Sequence, residues 1–589
     1  METVYFVGAN YRYGQVAYLP YAAGCIAAYA WADELVKSRY RLGRFIFMRE
    51  DIAETVTSLD SPFLVAFSCY VWNFEYNKAL ARAIKEKFPN CLILFGGHHI
   101  PFNSAALLDE LGFVDFLVHE EGEEAFLMLL RALAADGNLR HVPNLSYRAN
   151  GEIHRNPVIA PTHADYPSPY LNGLFDDLMR EEQYEFSATL ETNRGCPFTC
   201  AFCDWGTLRG ELRKIPMERI HAEIKWFAEH KIDHVYCADA NFGIFPRDGE
   251  IVDFLVDTNK RTGYPQKFRA CYTKNSDEAV FQLNKRLNAA GMSKGATLSF
   301  QSVSPTVLKN IGRKNLSMER FSQLLGKYQK EGIPTQSELI LGLPGETLES
   351  FIQGVGALFE AGQHSSLNIY TCEMLPNALL ARLREKYAIE TIKTRGGRAH
   401  CSATERDDAE EITEIVCATD SLSRADWEAA QCFSVIAQAW HCLGVLQLVA
   451  IYLREKQGVK YQDFYSSLID WARENPQTMQ GEKLLALEGR VADILKFGGG
   501  FSYADKRFGD VLYPFEEALF LESAYELERF YSDISPFLLK YLDAATLDEL
   551  IYQQKKRLKM PKNQSWADYA REVVWYGRKG NIMLESSEI

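Results

Sequence analysis

Apolar and polar residues alternate with two different periods in the first 145 residues of the chain. Short apolar runs predict five strands, at 3–9, 44–48, 63–68, 91–95 and 113–119. The stretches between them are amphipathic, and in residues 74–87 the apolar Leu80, Ala83 and Ile84 recur at helical spacing. Strands that alternate with helices indicate a doubly wound α/β domain over 1–145, in which ligands bind at the carboxyl ends of parallel strands.

A second alternating series follows a proline-rich stretch at 146–185, which we expect to be a linker. Six apolar runs predict strands at 187–191, 232–237, 267–272, 296–301, 335–341 and 366–371. Six strand–helix units predict a partial (β/α)6 barrel over 186–390, with its active site at the carboxyl ends of the strands. Over 391–589 the pattern becomes mainly α-helical, and we expect a third domain that includes helices at 407–420 and 426–456.

The composition restricts the class of protein. The 589 residues carry a formal net charge of −14, which disfavours a nucleic-acid partner. No charge-free apolar stretch reaches the ~18 residues of a membrane span and no secretory leader opens the chain, so we expect a cytoplasmic protein without membrane contact. The 13 cysteines indicate metal or redox chemistry rather than a disulfide framework. Five of them are expected to be core residues: Cys25, Cys91, Cys237, Cys271 and Cys372.

Three cysteines directly after the first predicted barrel strand form the strongest chemical signal. Cys196, Cys200 and Cys203 have the spacing C-x3-C-x2-C. Thiolates suit iron–sulfur clusters, and three of them leave one iron of a 4Fe–4S cubane open for another ligand. A zinc site would need a fourth ligand, for which Asp204 is a candidate. We predict that the three cysteines hold a 4Fe–4S cluster and form the catalytic centre.

This motif and the segments downstream of it resemble the radical S-adenosylmethionine (SAM) superfamily. In that family the open iron chelates SAM, whose reduction releases a 5′-deoxyadenosyl radical. The resemblance implies that Phe202, just before the third cysteine, lies against the adenine of SAM. It also implies that residues on later strands contact SAM, namely Asp239, Asn241, Gln301, Ser302 and Glu338.

The first domain resembles the cobalamin-binding domain that precedes many radical SAM barrels. The resemblance implies that cobalamin is contacted by residues after the third, fourth and fifth strands: Ser68, Tyr70, Trp72, Asn73, Gly97, His98, His99, Glu121 and Gly122. Many cobalamin proteins carry a cobalt-binding histidine in the motif Asp-x-His-x-x-Gly, but residues 8–14 contain no histidine. This departure resembles a subgroup without a protein ligand below cobalt, found among the carbapenem-pathway methylases.

Two aromatic features of that domain have alternative interpretations. In the subgroup without a lower ligand, Trp72 matches a bulky residue that covers the lower face of cobalt, whereas its alternative is burial in the core. The pair His98 and His99 either ligates cobalt or contacts the nucleotide tail or a propionamide of cobalamin. We favour the second role for the pair, because a lone histidine pair on a loop is seldom a metal site without further ligands.

Together the two resemblances imply a cobalamin-dependent radical SAM C-methyltransferase, in which methylcobalamin methylates an unactivated sp3 carbon. We expect a small-molecule or peptide substrate and an electron donor such as flavodoxin or ferredoxin. Trp205, which follows the cysteine motif, is expected to touch substrate or cobalamin, and the C-terminal region is expected to carry substrate specificity.

Three other functions remain open on the sequence alone. An enzyme with the same cofactors could rearrange, cyclise or oxidise its substrate without methyl transfer. A methylthiotransferase would need further cluster cysteines near the N-terminus, where Cys25, Cys69 and Cys91 lie on separate predicted elements. A cobalamin-binding sensor with an inactive barrel is disfavoured by the intact cysteine motif.

Overall fold

The computed structural model covers residues 1–589 and describes all of them except 12–15, 136, 162–163, 206–211, 275–277, 397, 405–407, 559, 562–563 and 572–589. Part of the segment 8–14 and the glycine at position 206 therefore lie outside the described residues.

The described part of the N-terminal region contains eight strands and six α-helices. Its strands are Glu2–Asn10 (β1), Val16–Tyr18 (β2), Tyr40–Met48 (β3), Pro62–Ser68 (β4), Leu92–Gly96 (β5), Phe116–Val118 (β6), Leu145–Ala149 (β7) and Glu152–Arg155 (β8). Its helices are Tyr21–Ala30 (α1), Glu34–Arg39 (α2), Ile52–Ser58 (α3), Phe74–Lys87 (α4), Ser104–Glu110 (α5) and Glu123–Ala134 (α6). Seven strands form one sheet in the order β3-β1-β4-β5-β6-β7-β8, and the first five run parallel. This is a doubly wound order, so the predicted fold class is confirmed.

The first sheet extends beyond the residues that the sequence assigned to it. Strands β7 and β8 add an antiparallel hairpin, although we expected a linker from residue 146. The hairpin turn is Asn150-Gly151, and both residues have positive φ, at 53° and 79°. Such a two-residue turn matches the twist of paired strands, and Asn-Gly is its usual sequence signal. The prolines that suggested a linker begin only after this hairpin, at position 157.

The central region contains the barrel. Its strands are Glu185–Leu190 (β9), Asn193–Arg194 (β10), Arg213–Lys214 (β11), His234–Phe242 (β12), Lys267–Tyr272 (β13), Ala296–Gln301 (β14), Thr335–Leu341 (β15) and Leu367–Thr371 (β16). Its helices are Met217–Glu229 (α7), Asp248–Thr262 (α8), Glu278–Ala289 (α9), Pro305–Asn310 (α10), Met318–Lys330 (α11), Leu348–Glu360 (α12) and Leu379–Arg382 (α13). Two parallel sheets, β13-β12-β9-β2 and β14-β15-β16, adjoin through a bridge between Phe268 and Ser293. Strand β2 comes from the N-terminal region and pairs with β9, so the barrel has one more strand than the six predicted.

The C-terminal region is mainly helical, as the sequence pattern indicates. Its helices are Arg424–Ile436 (α14), Gln447–Gln457 (α15), Tyr461–Glu474 (α16), Met479–Phe497 (α17), Phe515–Tyr525 (α18), Leu527–Leu538 (α19), Ala544–Arg557 (α20) and Trp566–Ala570 (α21). A π-helical turn, Ala437–Cys442, follows α14. Its strands are Glu390–Arg395 (β17), Ile412–Ala418 (β18), Ser502–Tyr503 (β19) and Tyr513–Pro514 (β20).

Strand β18 corrects one prediction, because we expected a helix over 407–420. The β-branched residues Ile412, Thr413, Ile415 and Val416 favour a strand, which pairs antiparallel with β17. Pairing with β17 therefore decided the conformation of this segment.

The hydrophobic core joins the C-terminal region to the barrel. Barrel residues Phe300, Leu339 and Phe359 belong to the same continuous buried cluster as Trp427 and Trp440 of the C-terminal region. The two regions therefore share a core, and removal of one would expose apolar surface of the other.

No single helix in the described part of the chain is long and apolar enough to cross a membrane. One pair, Arg424–Cys442 with Gln447–Gln457, meets the length and composition requirement jointly but is bent by 90°.

Candidate active site

The three motif cysteines lie on the loop that follows β10. Cys196 and Cys200 are buried, whereas Cys203 is partly exposed. Asn241 Nδ2 donates to Cys196 Sγ over 3.2 Å, and Lys274 Nζ donates to Cys200 Sγ over 3.1 Å. Such donors favour the thiolate form that binds iron. In the described residues no three His, Cys, Asp or Glu side chains converge on a single-ion site; in a cubane each thiolate binds a different iron.

Asp239, predicted to contact SAM, instead fastens the start of the cysteine loop. Its buried carboxylate accepts bonds from the backbone N–H of Thr192 (2.7 Å) and of Asn193 (3.2 Å). It also accepts from the side chains of the same two residues, over 2.6 Å from Asn193 Nδ2. Burial raises the pKa of Asp239 to about 7, and the hydrogen bonds lower it in part. The carboxylate is thus already engaged by four donors.

Two other predicted SAM residues carry buried amide oxygens without a partner in the described chain. These atoms are Asn241 Oδ1 and Gln301 Oε1. Gln301 ends β14 with a positive φ of 65°, unusual for a residue other than glycine, asparagine or aspartate. It lines a cavity of about 190 Å³ together with Cys196, Phe202 and Cys203. Unpaired buried acceptors call for a donor, and the amino groups of SAM would provide donors, so these residues fit SAM.

The remaining two predicted SAM residues are bonded within the protein. Ser302 Oγ donates to Glu346 Oε2 over 2.7 Å, and Ser302 is almost completely buried. Glu338 accepts a hydrogen bond from Ser299 Oγ, and Ser299 itself lines the cavity. Neither Ser302 nor Glu338 is among the residues that line this cavity, but Glu338 is bonded to one that does.

A second cavity, of about 260 Å³, lies at the carboxyl ends of β4, β5 and β6. Six of the predicted cobalamin residues line it: Ser68, Tyr70, Gly97, His98, Glu121 and Gly122. Phe6, Ala66 and Leu94 contribute an apolar part of its wall. Gly97 has a φ of 107°, and a Cβ there would lie 2.7 Å from the carbonyl oxygen of Cys69, so the loop requires glycine. An apolar wall with polar groups at strand ends fits a corrin ring and its amides.

Three predicted cobalamin residues lie outside that cavity wall. Trp72 is 40% exposed and stacks on Tyr70, with ring centroids 4.4 Å apart, so it is not a core residue. Asn73 is buried: its Nδ2 donates to the carbonyls of Ala9 and Ser68, and its Oδ1 accepts from Tyr70 N–H. His99 packs against Phe74, and burial lowers its pKa to about 4. The two neighbouring histidines therefore differ, since only His98 faces the cavity.

An ionic cluster joins the N-terminal region to the barrel beside the second cavity. Arg194 Nη1 lies 3.0 Å from Glu121 and 2.7 Å from Glu123, and its Nη2 lies 3.0 Å from Glu191. Arg213 also binds Glu121. These arginines hold the pKa of Glu121 below its usual value, although burial alone would raise it. Glu121 therefore lines the cavity and also forms ion pairs that join the N-terminal region to the barrel.

The two cavities share part of their walls. Trp205 and Ala240 line both of them, and Trp205 is 38% exposed. Asp204, the residue before Trp205, lies 3.2 Å from His98 Nδ1, measured from its Oδ2. We call the cavity of about 190 Å³ the SAM-side cavity and that of about 260 Å³ the cobalamin-side cavity. Trp205 lies between the two, and Asp204 contacts the N-terminal region.

Several residues at the site had no signal in the sequence. Cys271 was expected to be a core residue, but it lines the SAM-side cavity and its Sγ lies 3.4 Å from Tyr236 Oη. Lys274 and Arg313 line the same cavity. Cys271 lies on β13, Lys274 follows that strand and Arg313 follows α10, and only the closure of the barrel brings them to the cysteine loop.

Family models match both halves of this site. The Radical SAM superfamily model matches residues 190–355, and the B12 binding domain model matches residues 33–130. The fold and the site therefore define a radical SAM enzyme with a cobalamin-binding domain.

Curated relatives narrow the class further. The chain is 37% identical over 505 residues to the cobalamin-dependent radical SAM methyltransferase TokK of Streptomyces tokunonensis, covering 84% of this chain and 73% of that protein. It is also 37% identical over 502 residues to the 2-(S-pantetheinyl)-carbapenam-3-carboxylate methyltransferase of Streptantibioticus cattleyicolor, with the same coverage of 84% and 73%. This chain belongs to the family of cobalamin-dependent radical SAM methyltransferases.

Solved structures agree on the fold. The cobalamin-dependent radical SAM enzyme OxsB superimposes with a TM-score of 0.55 at 15% identity, over 95% of this chain and 83% of that one. TsrM from Kitasatospora setae, with cobalamin and a [4Fe-4S] cluster bound, gives 0.54 at 16% identity, over 73% and 91%. The predictions of a C-methyltransferase and of a 4Fe–4S cluster, SAM and cobalamin as cofactors are confirmed by the family membership.

Proposed function

We propose that this enzyme methylates an unactivated sp3 carbon of a small molecule held where the two cofactor cavities meet. The observation that carries the proposal is the shared wall, because Trp205 and Ala240 line both cavities. A substrate beside Trp205 would be within reach of both cofactors. When bound, the cluster and SAM supply a radical that removes hydrogen from carbon, and cobalamin supplies the methyl group.

In this proposal, side chains of the protein position the cofactors. Cys196, Cys200 and Cys203 hold the cluster, while Asn241 and Gln301 accept hydrogen bonds from SAM through their unpaired oxygens. Phe202 provides an aromatic surface in the same cavity. Asp239 acts indirectly, because its four hydrogen bonds fix the backbone conformation at the start of the cysteine loop.

On the cobalamin side, the backbone at Gly97 and Gly122 allows close approach, and His98 is the histidine that faces the cavity. We assign His98 a contact with the nucleotide tail or a propionamide. Trp72 lies outside the cavity wall beside Tyr70, a position that supports an assignment as an aromatic cover next to the ring.

The substrate assignment is supported by the two relatives at 37% identity, one of which is named for a pantetheinyl carbapenam carboxylate. We propose a substrate of that class, a small bicyclic or comparable ring that carries a thioether-linked arm, rather than a peptide. The electron donor in this proposal is a flavodoxin or ferredoxin. We also propose a cytoplasmic location, in keeping with the metal or redox chemistry that the 13 cysteines indicate.

Labelled SAM tests the proposal. Full-length enzyme with cluster and cobalamin should transfer a ¹³C-methyl group from SAM to 2-(S-pantetheinyl)-carbapenam-3-carboxylate and form 5′-deoxyadenosine. Mass spectrometry should show the label on carbon. Formation of 5′-deoxyadenosine with an oxidised or cyclised product that lacks the label would overturn the proposal in favour of an enzyme that does not transfer methyl groups.

A further inference from the structure

A third cavity, larger than the two cofactor cavities, occupies the lower part of the barrel. Its volume is about 1150 Å³, above the range of about 300–1000 Å³ that is usual for small-molecule sites. Residues of the barrel strands β2, β9 and β12 to β16 form part of its lining, and residues of β17, β18 and the C-terminal region form the rest. We call it the lower barrel cavity.

The lower barrel cavity and the SAM-side cavity share one lining residue, Thr297 on β14. Tyr370 on β16 also lines the lower barrel cavity and is 50% exposed. A ligand whose reacting group lies near SAM could therefore extend past Thr297 over an aromatic surface.

Carboxamide side chains are prominent in this lining. Two of the five, Gln336 and Gln438, are bonded within the protein, to Thr297 Oγ1 (2.8 Å) and to the backbone N–H of Ile369 (3.2 Å). The other three, Gln266, Asn368 and Gln431, make no side-chain hydrogen bond to any described residue. Gln431 is only 7% exposed, and its amide lines the cavity, where it can exchange hydrogen bonds with a ligand.

The charges of the lining restrict the ligand further. Lysine and arginine contribute five of the lining residues, and aspartate and glutamate contribute five. A cavity with balanced charge lacks the cationic excess that recognises phosphate groups. Carboxamides, in contrast, offer one donor and one acceptor side and so match amide groups of a ligand.

We propose that the lower barrel cavity binds the part of the substrate that is not methylated, as a neutral chain of amide groups without phosphate. A pantetheinyl arm has this chemistry, and so has a short uncharged peptide. This inference rests on the proposed function, since it treats the occupant as an extension of the methylated group. Gln431 and Asn368 are its binding residues, the first from the C-terminal region and the second from the barrel.

Calorimetric titration of full-length enzyme, with cluster and cobalamin bound, tests the inference. Three probes are compared: S-methylpantetheine, S-methyl-4′-phosphopantetheine and N-acetyl-triglycine amide. We expect S-methylpantetheine to bind, and its phosphorylated form to bind more weakly. Gln431→Leu and Asn368→Leu should each weaken binding about five- to tenfold, the usual effect of one lost hydrogen bond to a neutral group. Equal binding of the peptide probe, with the same dependence on Gln431, would support the amide chemistry and indicate a peptide arm.

The control is Gln353→Leu, which changes the same side chain on α12, where Gln353 bonds to Glu349 outside the cavity. The inference is overturned if none of the probes binds the wild-type enzyme, if the phosphorylated probe binds most tightly, or if Gln431→Leu and Asn368→Leu both bind like the control. SAM cleavage and methylation of cobalamin are measured in parallel. An enzyme that retains both while failing the probe titration refutes this inference and leaves the proposed function standing.

Discussion

The two cofactor cavities differ in how the protein treats the polar residues that the sequence assigned to them. On the SAM side, Asn241 and Gln301 each keep a buried oxygen without a partner in the described chain. On the cobalamin side, no predicted residue has such an atom; Asn73 and Glu121 are bonded to the protein itself. In the proposed assignment, SAM is bound through two oxygens that have no partner in the described chain, whereas Asn73 and Glu121 on the cobalamin side stabilise the protein itself.

The largest effect should come from removing the cluster, on which the SAM side depends. Replacing Cys196, Cys200 and Cys203 with alanine should lower 5′-deoxyadenosine formation at least ~1000-fold, because the chemistry of SAM cleavage resides in the cofactor. Iron content and product formation measure the effect. Cys91→Ala, which alters a buried cysteine of the first sheet, should keep its iron. Unchanged SAM cleavage by the triple variant would contradict the assignment.

The next largest effect should come from Arg194 on the cobalamin side. Arg194→Ala leaves the carboxylates of Glu123 and Glu191 buried without their cation, which should lower the free energy of unfolding by about 3–5 kcal/mol. Urea unfolding measures this change, and Arg194→Lys should recover part of it. A loss below about 1 kcal/mol would show that the cluster does not support the wall.

Asn73→Ala should also act through stability. It removes four hydrogen bonds, to Ala9 at the end of β1, to Ser68 at the end of β4, and from Tyr70 N–H and Asn77 Nδ2. We therefore expect the free energy of unfolding of the cofactor-free protein to fall by about 2–3 kcal/mol. Cobalamin affinity should fall only as far as the wall is disturbed. A variant of normal stability that has lost cobalamin binding would instead make Asn73 a direct contact.

On the SAM side, Gln301→Leu should lower the affinity for the cofactor without lowering the stability of the protein, the reverse of Asn73→Ala. Because Gln301 Oε1 has no partner in the described chain, its removal should leave the stability of the cofactor-free protein unchanged or slightly higher. SAM affinity, measured by equilibrium binding to the cluster-loaded enzyme, should fall about tenfold. A large loss of stability with normal SAM affinity would reverse the comparison between the two cavities.

The smallest expected effect concerns pH. Burial, with the charge of Asp204 beside it, raises the pKa of Glu120 on the cobalamin side to about 7. The folded protein then holds a proton that the unfolded chain loses near pH 4.5, so stability should fall as pH rises from about 4.5 through 7. Because Glu120 is partly exposed, we expect about 1 kcal/mol. Because Asp239 has a pKa that is also raised to about 7, Glu120→Gln should make this fall smaller by about 1 kcal/mol rather than abolish it. A pH dependence of unfolding identical to that of the wild type would refute the assignment.

Because the C-terminal region shares a core with the barrel, its proposed role in substrate specificity is better tested by point variants than by deletion. Because Trp427 and Trp440 pack in one cluster with barrel residues such as Phe300, deletion of 391–589 would expose the barrel core. Point variants in the cavity lining, such as Gln431→Leu, keep that core intact. They are therefore the better test of whether the C-terminal region selects the substrate.

Much of the fold was predictable, because regular alternation is a local property of the chain. Strands β13, β14 and β15 have the bounds that their apolar runs predict, and so has helix α4. Strand β18 and the hairpin of β7 and β8 were missed. Strand β18 was missed because pairing with β17 decided its conformation, and the hairpin because its Asn-Gly turn lies close to the proline-rich stretch.

The sequence by itself determined the cluster ligands and the class of enzyme, because three thiols within eight residues remain on one loop whatever surrounds them. Tertiary structure decided which polar groups face the cofactors. Asp239 and Asn241 lie two residues apart on β12, yet one is enclosed by Thr192 and Asn193 and the other faces Cys196. Tertiary structure also brought β2 into the barrel and made Trp205 a wall of two cavities. Such contacts depend on the register and packing of distant strands, which no local pattern specifies.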